Sequence, residues 1–141
     1  MSGTDPAGLL DTSVVIALGT LTAADLPEES FISAVTLAEL SVGPLVASTD
    51  DERLARQSVL QVTEAHFSPL AFDAESARAF GRVAAALRGT GRKRRARTYD
   101  ALIAAVGLRH ELPIYTCNPE DFTGIPGLIV RTVGPSLLDS P

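Results

Sequence analysis

The sequence predicts an α/β fold in which a mostly parallel sheet is covered by helices on both faces. Short apolar runs alternate with helical patterns along the chain, which is typical of parallel sheets built from strand–helix–strand units. The 141 residues, 45% of them hydrophobic, match one domain of ordinary size with a single core. We therefore expect one domain over residues 1–141, with loose ends at 1–7 and 135–141.

The first half of the chain contains two predicted strands, each followed by a helix. The strands are GLLD, residues 8–11, and SFISAV, residues 30–35. The helices are TSVVIALG and TLAELSVGPLV, and Pro44 is expected to kink or end the second because its ring leaves no backbone N–H. A longer amphipathic helix follows at DDERLARQSVLQVTEA, with its charges on one face.

The second half repeats this alternation. A short third strand is predicted at PLAF, residues 69–72, and Asp73 is a good N-cap for a helix that Gly89 is expected to stop. A further helix, from about Thr98 to His110, is indicated by apolar residues at helical spacing. The chain then continues with a strand at PIYTC, a helical turn at NPEDF and a last strand at GLIVRTV.

Composition and charge exclude several classes of protein. The net charge of −5 argues against a generic binder of polyanions. No apolar run approaches the roughly 18 residues of a membrane-spanning helix, and no basic stretch followed by an apolar run opens the chain. The single cysteine, Cys117, rules out an internal disulfide and fits a reducing environment. We expect a cytoplasmic protein without membrane contact.

Four acidic residues carry the functional signal, because each lies where an apolar run gives way to a helical pattern. They are Asp11, Glu39, Asp100 and Asp121. The loops that follow parallel strands gather at one edge of the sheet, so Asp11, Glu39 and Asp121 are expected there. Asp100 opens the helix that leads into the next strand, which by itself would place it at the far edge. Joining the others requires that this helix begin near the site and cross over.

Carboxylates gathered in one pocket would favour a divalent cation. Mg²⁺ and Mn²⁺ prefer carboxylate and water oxygens as ligands, and carboxylates packed without a cation repel one another. Such ions lower the pKa of water and neutralise charge on a phosphodiester, so the pattern favours metal-dependent hydrolysis of a polyanion. Three polar residues, Ser13, Thr116 and Asn118, are candidates to orient the carboxylates or hold water.

Each acid also has a structural explanation. Asp11 can cap a helix, and Thr36 with Glu39 fits a capping box with Glu39 at the third helical position. Asp100 and Asp121 suit the first turn of a helix. If the acids only cap helices, the chain is a non-catalytic module that binds RNA or protein. A phosphoacceptor receiver domain is a third alternative, but it expects paired acids after the first strand, where this chain has only Asp11.

A basic run precedes Asp100 and supplies half of the twelve lysines and arginines. Its members are Arg88, Arg92, Lys93, Arg94, Arg95 and Arg97. A run of this kind is often only a solvated surface. Beside an acidic metal site it also suits the phosphates of a nucleic-acid backbone, so residues 92–97 are candidate substrate contacts.

Several segments together resemble the PIN-domain ribonucleases and, within them, the VapC-like toxins of prokaryotic toxin–antitoxin pairs. The segments are LLDTSVVIAL, TLAELSVG, YDALIAAVGLRHELPIYTCNPEDF and the strand GLIV, in the order of the family. The third is the most specific, because it joins an Asp-opened helix, a strand and the pattern Thr-x-Asn-x-x-Asp-Phe. Two features depart from the family pattern: Cys117, where a basic or small polar residue is common, and the arginine-rich run at 92–97.

The resemblance implies a three-layer α/β/α sandwich around a sheet of about five strands. It also implies a hydrolase that cleaves single-stranded or looped RNA with Mg²⁺ or Mn²⁺. In such a protein Asp11 and Asp100 are metal ligands, and Glu39 is a ligand or positions the attacking water. Asp121 is the fourth acid, often acting through water, with Asn118 beside it.

The resemblance further implies a protein partner. VapC-like toxins are held inactive by a small VapB-like antitoxin whose tail lies in an apolar groove. A stripe of apolar residues could form such a groove, although core packing also explains much of it; its members are Leu37, Leu40, Leu45 and Val46. A homodimer or a toxin–antitoxin hetero-oligomer is implied in the same way.

Overall fold

The computed structural model describes residues 5–88 and 94–134, with the side chains of 94–97 left outside the description. In this part of the chain four strands form one parallel sheet in the order β2-β1-β3-β4. The strands are β1 (Ala7–Leu10), β2 (Glu29–Ile32), β3 (Ile114–Thr116) and β4 (Val130–Thr132). The helices are α1 (Thr12–Ala17), α2 (Ala34–Val42), α3 (Asp50–His66), α4 (Ala74–Leu87) and α5 (Arg94–His110). The predicted α/β class with a parallel sheet is confirmed.

Two apolar clusters lie on opposite faces of the sheet. Successive residues of a strand point to opposite faces, and neighbours in β1 and β3 accordingly join different clusters. Leu9 and Ile114 pack with residues of α4 and α5, whereas Leu10 and Tyr115 pack with residues of α1, α2 and α3. All four side chains are buried. The sheet is therefore the middle layer of a three-layer sandwich, as predicted.

The predicted third strand, at residues 69–72, is reduced to a single parallel bridge between Leu70 and Ser33. Leu70 N donates to Ile32 O and Leu70 O accepts from Ala34 N, both at 2.8 Å, at the point where β2 ends. Pairing does not extend forwards, because the chain of β2 turns into α2 at Ala34. Among the described residues the sheet therefore has four strands, one fewer than expected.

Helix boundaries follow the capping rules at most positions. Asp73 caps α4, with Oδ1 accepting from Ser76 N at 2.8 Å, as predicted. α2 ends at Val42, and Pro44 lies in the 3₁₀ turn that follows. α5 begins at Arg94, a turn earlier than predicted, while Gly89 lies outside the described residues.

The predicted capping box at Thr36 and Glu39 is wrong. Ser33 caps α2 instead, its Oγ accepting from Val35 N at 2.9 Å, and the helix begins at Ala34. Glu39 is thus the sixth helical residue, where it cannot reach back to the cap. Its presence needs another explanation.

The predicted loose ends need one adjustment. Residues 1–4 and 135–141 lie outside the described part, so the prediction is not tested there. Asp5, however, forms an ion pair with Arg131, and Ala7 already opens β1. None of the helices that the structure describes is both long and apolar enough to cross a membrane.

Candidate acidic site

Asp11 lies at the carboxyl end of the central strand β1 and is the N-cap of α1. Its Oδ1 accepts from Val14 N at 3.1 Å and from Ser13 Oγ at 2.6 Å. Thr116, at the end of β3, forms a further side-chain hydrogen bond with the carboxylate. The side chain is only 5% exposed. The predicted neighbours Ser13 and Thr116 therefore contact Asp11 directly.

Backbone groups of the β3 end orient both hydroxyls. Cys117 N donates to Ser13 Oγ at 3.0 Å, and Asn118 N donates to Thr116 Oγ1 at 2.9 Å. Each hydroxyl has one proton, so a hydroxyl that accepts from the backbone can still donate to Asp11. Burial raises the pKa of the Asp11 carboxyl above its ordinary value, and the bonds from Ser13 and Thr116 only partly oppose that shift.

Glu39 projects from α2 toward the same pocket. Thr12 Oγ1, next to Asp11 in the chain, donates to Glu39 Oε1 at 2.6 Å. The pKa of Glu39 is raised, first by burial and further by the negative charge of Asp11, while the bond from Thr12 lowers it. The structure thus brings Asp11 and Glu39 close enough for their charges to interact.

Asp100 is the seventh residue of α5, and the course of this helix bears on where it lies along the sheet. α5 contacts α2 and the 3₁₀ turn Pro119–Phe122, and both of these follow carboxyl ends of strands. At its other end, Leu112 N donates to Gly107 O at 2.9 Å as the chain turns into β3. From Gly107 back to Asp100 the helix rises about 10 Å, the length of three strand residues, which is the level where β3 ends. We therefore expect Asp100 at the carboxyl edge.

Asp121 belongs to the 3₁₀ turn Pro119–Phe122, directly after β3. Asp121 N donates to Asn118 O at 3.0 Å, and the buried Phe122 anchors the turn in the core. The Asn118 side chain makes no capping bond and is exposed. Asp121 and Asn118 both lie at the predicted edge. The same loop contains the backbone N–H groups of Cys117 and Asn118 that orient the two hydroxyls.

Asp11 and Glu39 lie near each other, but the described acids do not form a closed metal cage. Within residues 5–88 and 94–134, no three side chains of His, Cys, Asp or Glu come close enough together to hold an ion. Carboxylates repel one another when no cation is present, so the open arrangement is the one that electrostatics favours. The donors themselves are carboxylate oxygens in a half-buried pocket, with raised pKa values at Asp11 and Glu39, and this chemistry fits a hard divalent cation.

The basic run lies only partly within the description. Arg92 and Lys93 lie outside the described residues. Arg94, Arg95 and Arg97 are on the first turns of α5, and their side chains lie outside the description. Substrate contact by these residues stays a prediction.

Two site residues were missed as such, Thr12 and Thr36. Thr36 Oγ1 lies 3.0 Å from Thr12 Oγ1, which in turn bonds Glu39. The signal was present, since Thr36 lies three residues before Glu39 on one helix face. The same spacing of Thr36 and Glu39 also fits a capping box, which is what the sequence predicts.

Apolar surface is exposed both along part of the predicted stripe and in a separate groove. Of that stripe, Leu40 is buried core, whereas Leu45 and Val46 are 85% and 64% exposed. A separate groove of about 400 Å³ runs between α1 and α3, lined by residues that include Ile16 and Val62. Both side chains are more than half exposed.

Comparisons with known proteins agree with this architecture. A family model described as "PIN domain" matches residues 9–127. "Ribonuclease VapC5" of Mycobacterium tuberculosis is 40% identical over 130 residues, covering 90% of this chain and 93% of the relative. "Ribonuclease VapC1" of Rickettsia felis is 30% identical over 131 residues, covering 89% and 95%.

Solved structures give the same result. The crystal structure of VapBC-5 from Mycobacterium tuberculosis, a member of the VapBC family of toxin–antitoxin systems, matches with a TM-score of 0.76 and 36% identity. The match covers 91% of this chain and 99% of that one. VapBC2 from Rickettsia felis, bound to a DNA fragment from its promoter, matches in fold with a TM-score of 0.71 at 22% identity, over 91% of this chain and 99% of that one.

Proposed function

The chain belongs to the PIN-domain family, and on that premise we propose that it is a metal-dependent endoribonuclease, the toxin of a VapBC-type toxin–antitoxin pair. Relatives named as ribonucleases align with it over nearly their whole length. The observation that carries the proposal is the pairing of Asp11 with Glu39 at the carboxyl edge, with the pKa of each raised by burial. We further propose that the whole chain acts as one catalytic domain in the cytoplasm, where RNA is available.

Helix capping does not account for this pair. Capping explains one oxygen of Asp11, which accepts from Val14 N. Glu39 caps nothing, because Ser33 caps α2. A purely structural role would leave two like charges close together in a half-buried place without benefit. This counts against a non-catalytic binding module.

Asp11 and Asp100 are the proposed ligands of Mg²⁺, with Mn²⁺ as a substitute, and Asp121 is the proposed fourth acid beside Asn118. When bound, the ion supplies positive charge against the phosphodiester and lowers the pKa of water. Ser13 and Thr116 keep the Asp11 carboxylate in one orientation. Each hydroxyl donates to the carboxylate, and its own oxygen accepts a hydrogen bond from a backbone N–H.

Glu39 is the proposed acceptor of the proton from the attacking water. Its Oε1 is occupied by the Thr12 hydroxyl, so Oε2 is the oxygen that can take the proton. A raised pKa suits this task, because a base works best when its pKa approaches the working pH. Water then adds to phosphorus as Glu39 takes its proton, the P–O bond to the leaving ribose oxygen breaks, and that oxygen takes up a proton from solvent.

The proposed partner is a VapB-like antitoxin, in a hetero-oligomer that also allows a toxin homodimer. Exposed apolar side chains in the groove between α1 and α3 offer it a docking surface. The basic run at 92–97 is the proposed RNA contact. Arg94, Arg95 and Arg97 lie on the same helix as Asp100, which supports this proposal.

Cleavage of total RNA by the purified, antitoxin-free protein tests the function. We expect discrete fragments with Mg²⁺ or Mn²⁺, none with EDTA, and none from Asp100→Asn. Asp51→Asn is the matched control, because it makes the same change at an exposed acid on α3. A folded wild-type protein that yields no metal-dependent fragments would overturn the proposal and favour the binding module.

A further inference from the structure

A chain of hydroxyl groups connects the buried interior of α2 to Glu39. Thr36 is fully buried, and its Oγ1 lies 3.0 Å from Thr12 Oγ1. Thr12 Oγ1 lies 2.6 Å from Glu39 Oε1. By contrast, the buried hydroxyl of Thr63 serves its own helix: Thr63 Oγ1 donates to Val59 O at 2.7 Å, one turn earlier in α3. Thr36 in α2 instead bonds Thr12, which belongs to α1.

The direction of these hydrogen bonds follows from counting protons. An ionised carboxylate only accepts, and a threonine hydroxyl has a single proton. Thr12 therefore donates to Glu39 Oε1, and its oxygen accepts from Thr36. Both threonine hydroxyls have partners in this arrangement, as buried polar groups require. The order is Thr36 to Thr12 to Glu39.

In this arrangement the hydroxyl of Thr12, rather than a capping box, orients the Glu39 side chain. A glutamate side chain has three rotatable bonds, and ordering it opposes binding and catalysis entropically. Because the cap of α2 is Ser33, the backbone at the helix start leaves the Glu39 side chain free of capping contacts. The hydroxyl of Thr12 is the contact that orders Oε1, and Thr12 directly follows Asp11.

We propose that Thr12 and Thr36 are positioning residues that hold Glu39 Oε1 and thereby leave Oε2 for the ion and the attacking water. The short segment Asp11–Thr12 then places both acids of the pair, one by its own side chain and the other through a hydroxyl. This inference rests on the proposed function, since it assigns Glu39 a part in RNA cleavage.

Four threonine variants test the inference: Thr12→Val, Thr12→Ser, Thr36→Val and, as a matched control, Thr63→Val. Kinetics use a short RNA oligonucleotide that contains the site cut by the wild-type protein. We expect Thr12→Val to lower kcat by about 10–100-fold with KM unchanged, because only the orientation of the Glu39 carboxylate is lost. Thr12→Ser should restore most of kcat, Thr36→Val should lower it by about 3–10-fold, and Thr63→Val should leave it unchanged.

Titration of the metal-free proteins with Mn²⁺ is the second measurement, because it needs no cleavage. We expect Thr12→Val to bind Mn²⁺ about 10-fold more weakly and Thr12→Ser to bind it as the wild type does. Wild-type kcat and Mn²⁺ affinity in Thr12→Val would overturn the inference while leaving the nuclease intact. So would an equal loss of kcat in Thr63→Val, since that indicates a general effect of losing a buried hydroxyl. A wild type that binds Mn²⁺ but cuts no RNA would overturn the proposed function, and weaker Mn²⁺ binding by Thr12→Val would still support positioning.

Discussion

Two aspartates flank the central strand β1, and they are held in opposite ways. Asp5, before the strand, receives two bonds from Arg131, from Nε at 3.0 Å and Nη2 at 3.1 Å, and one from Tyr115 OH at 2.6 Å. Asp11, after the strand, is bonded by hydroxyls and a backbone N–H. Among the described residues, no lysine or arginine contributes to the pKa of Asp11.

The two pKa values show the consequence. The bonds from Arg131 and then Tyr115 lower the pKa of Asp5, whereas burial raises the pKa of Asp11. A carboxylate that serves the fold obtains its cation from the chain. Under the proposed function, a carboxylate that lacks such a cation, and lies beside a second acid, binds a cation from solution. On that proposal, the difference separates a structural acid from a functional one.

Replacing Asp11 with asparagine should produce the largest effect. Asparagine keeps the shape and is an equally good N-cap, so α1 should persist. The charge that would face the ion and the phosphodiester is lost, and we expect cleavage to fall by about 10²–10³-fold. RNA cleavage measures the loss of activity, and circular dichroism measures whether the helices persist. Cleavage at the wild-type rate would make Asp11 a cap and nothing more.

Added Mn²⁺ should stabilise the wild-type protein but not Asp11→Asn. At 100 times its dissociation constant, a ligand that binds only the folded state adds about 2.7 kcal/mol to the free energy of unfolding. Thermal melting with and without Mn²⁺ measures this, and Asp5→Asn should respond as the wild type does. An equal rise in Tm for Asp11→Asn would place the ion elsewhere.

Replacing Asp5 with asparagine should have the converse effect of the Asp11 change. The ion pair with Arg131 is lost at a partly exposed place, so the free energy of unfolding should fall by about 1 kcal/mol. Cleavage per folded molecule should be unchanged. Chemical denaturation and RNA cleavage check these two outcomes, with Asp51→Asn as the exposed-acid control. If Asp5→Asn abolished cleavage, the two edges of the sheet would not be functionally separate.

Much of the fold and part of this contrast could be predicted from the sequence. Alternating patterns predicted the layers, and local rules found the caps at Asp11 and Asp73. The same local rules failed at Glu39, because Ser33 and Thr36 are both acceptable caps three residues apart. The choice between them was made by the pairing of β2, which ends at Ile32, and no local pattern reveals that end.

The Asp5 network was invisible for a similar reason. Asp5 and Arg131 are 126 residues apart, and they meet only because β3 and β4 pair with Tyr115 opposite Arg131. The Tyr115 ring then passes over Gly8, where a Cβ would lie 2.6 Å from Cε1. Contacts that depend on register in this way need the structure, whereas Asp11 and Asp121 can be singled out in the sequence because they follow predicted strands.

The smallest expected difference between Asp5 and Asp11 is in how the stability of the protein depends on pH in metal-free buffer. The pKa of Asp5 is lowered in the folded state, so its stabilisation is present above the ordinary value of 3.8 and is lost as the pH falls through the lowered value. The pKa values of Asp11 and Glu39 are raised from 3.8 and 4.5, so the folded state binds protons more readily than the unfolded chain. Their contribution is therefore a penalty that grows as the pH rises through that window and is complete above it.

Melting curves of the wild type, Asp5→Asn and Asp11→Asn from pH 3 to pH 8 should reflect these opposite signs, with differences of about 1 kcal/mol or less. At neutral pH, Asp11→Asn should be the more stable protein, and its advantage should shrink as the pH falls and the wild-type acids take up protons. Asp5→Asn should be the less stable protein, and its deficit should shrink only below the ordinary pKa of an aspartate. If Asp11→Asn were destabilised at neutral pH without metal, Asp11 would be a structural acid like Asp5, and the contrast across β1 would disappear.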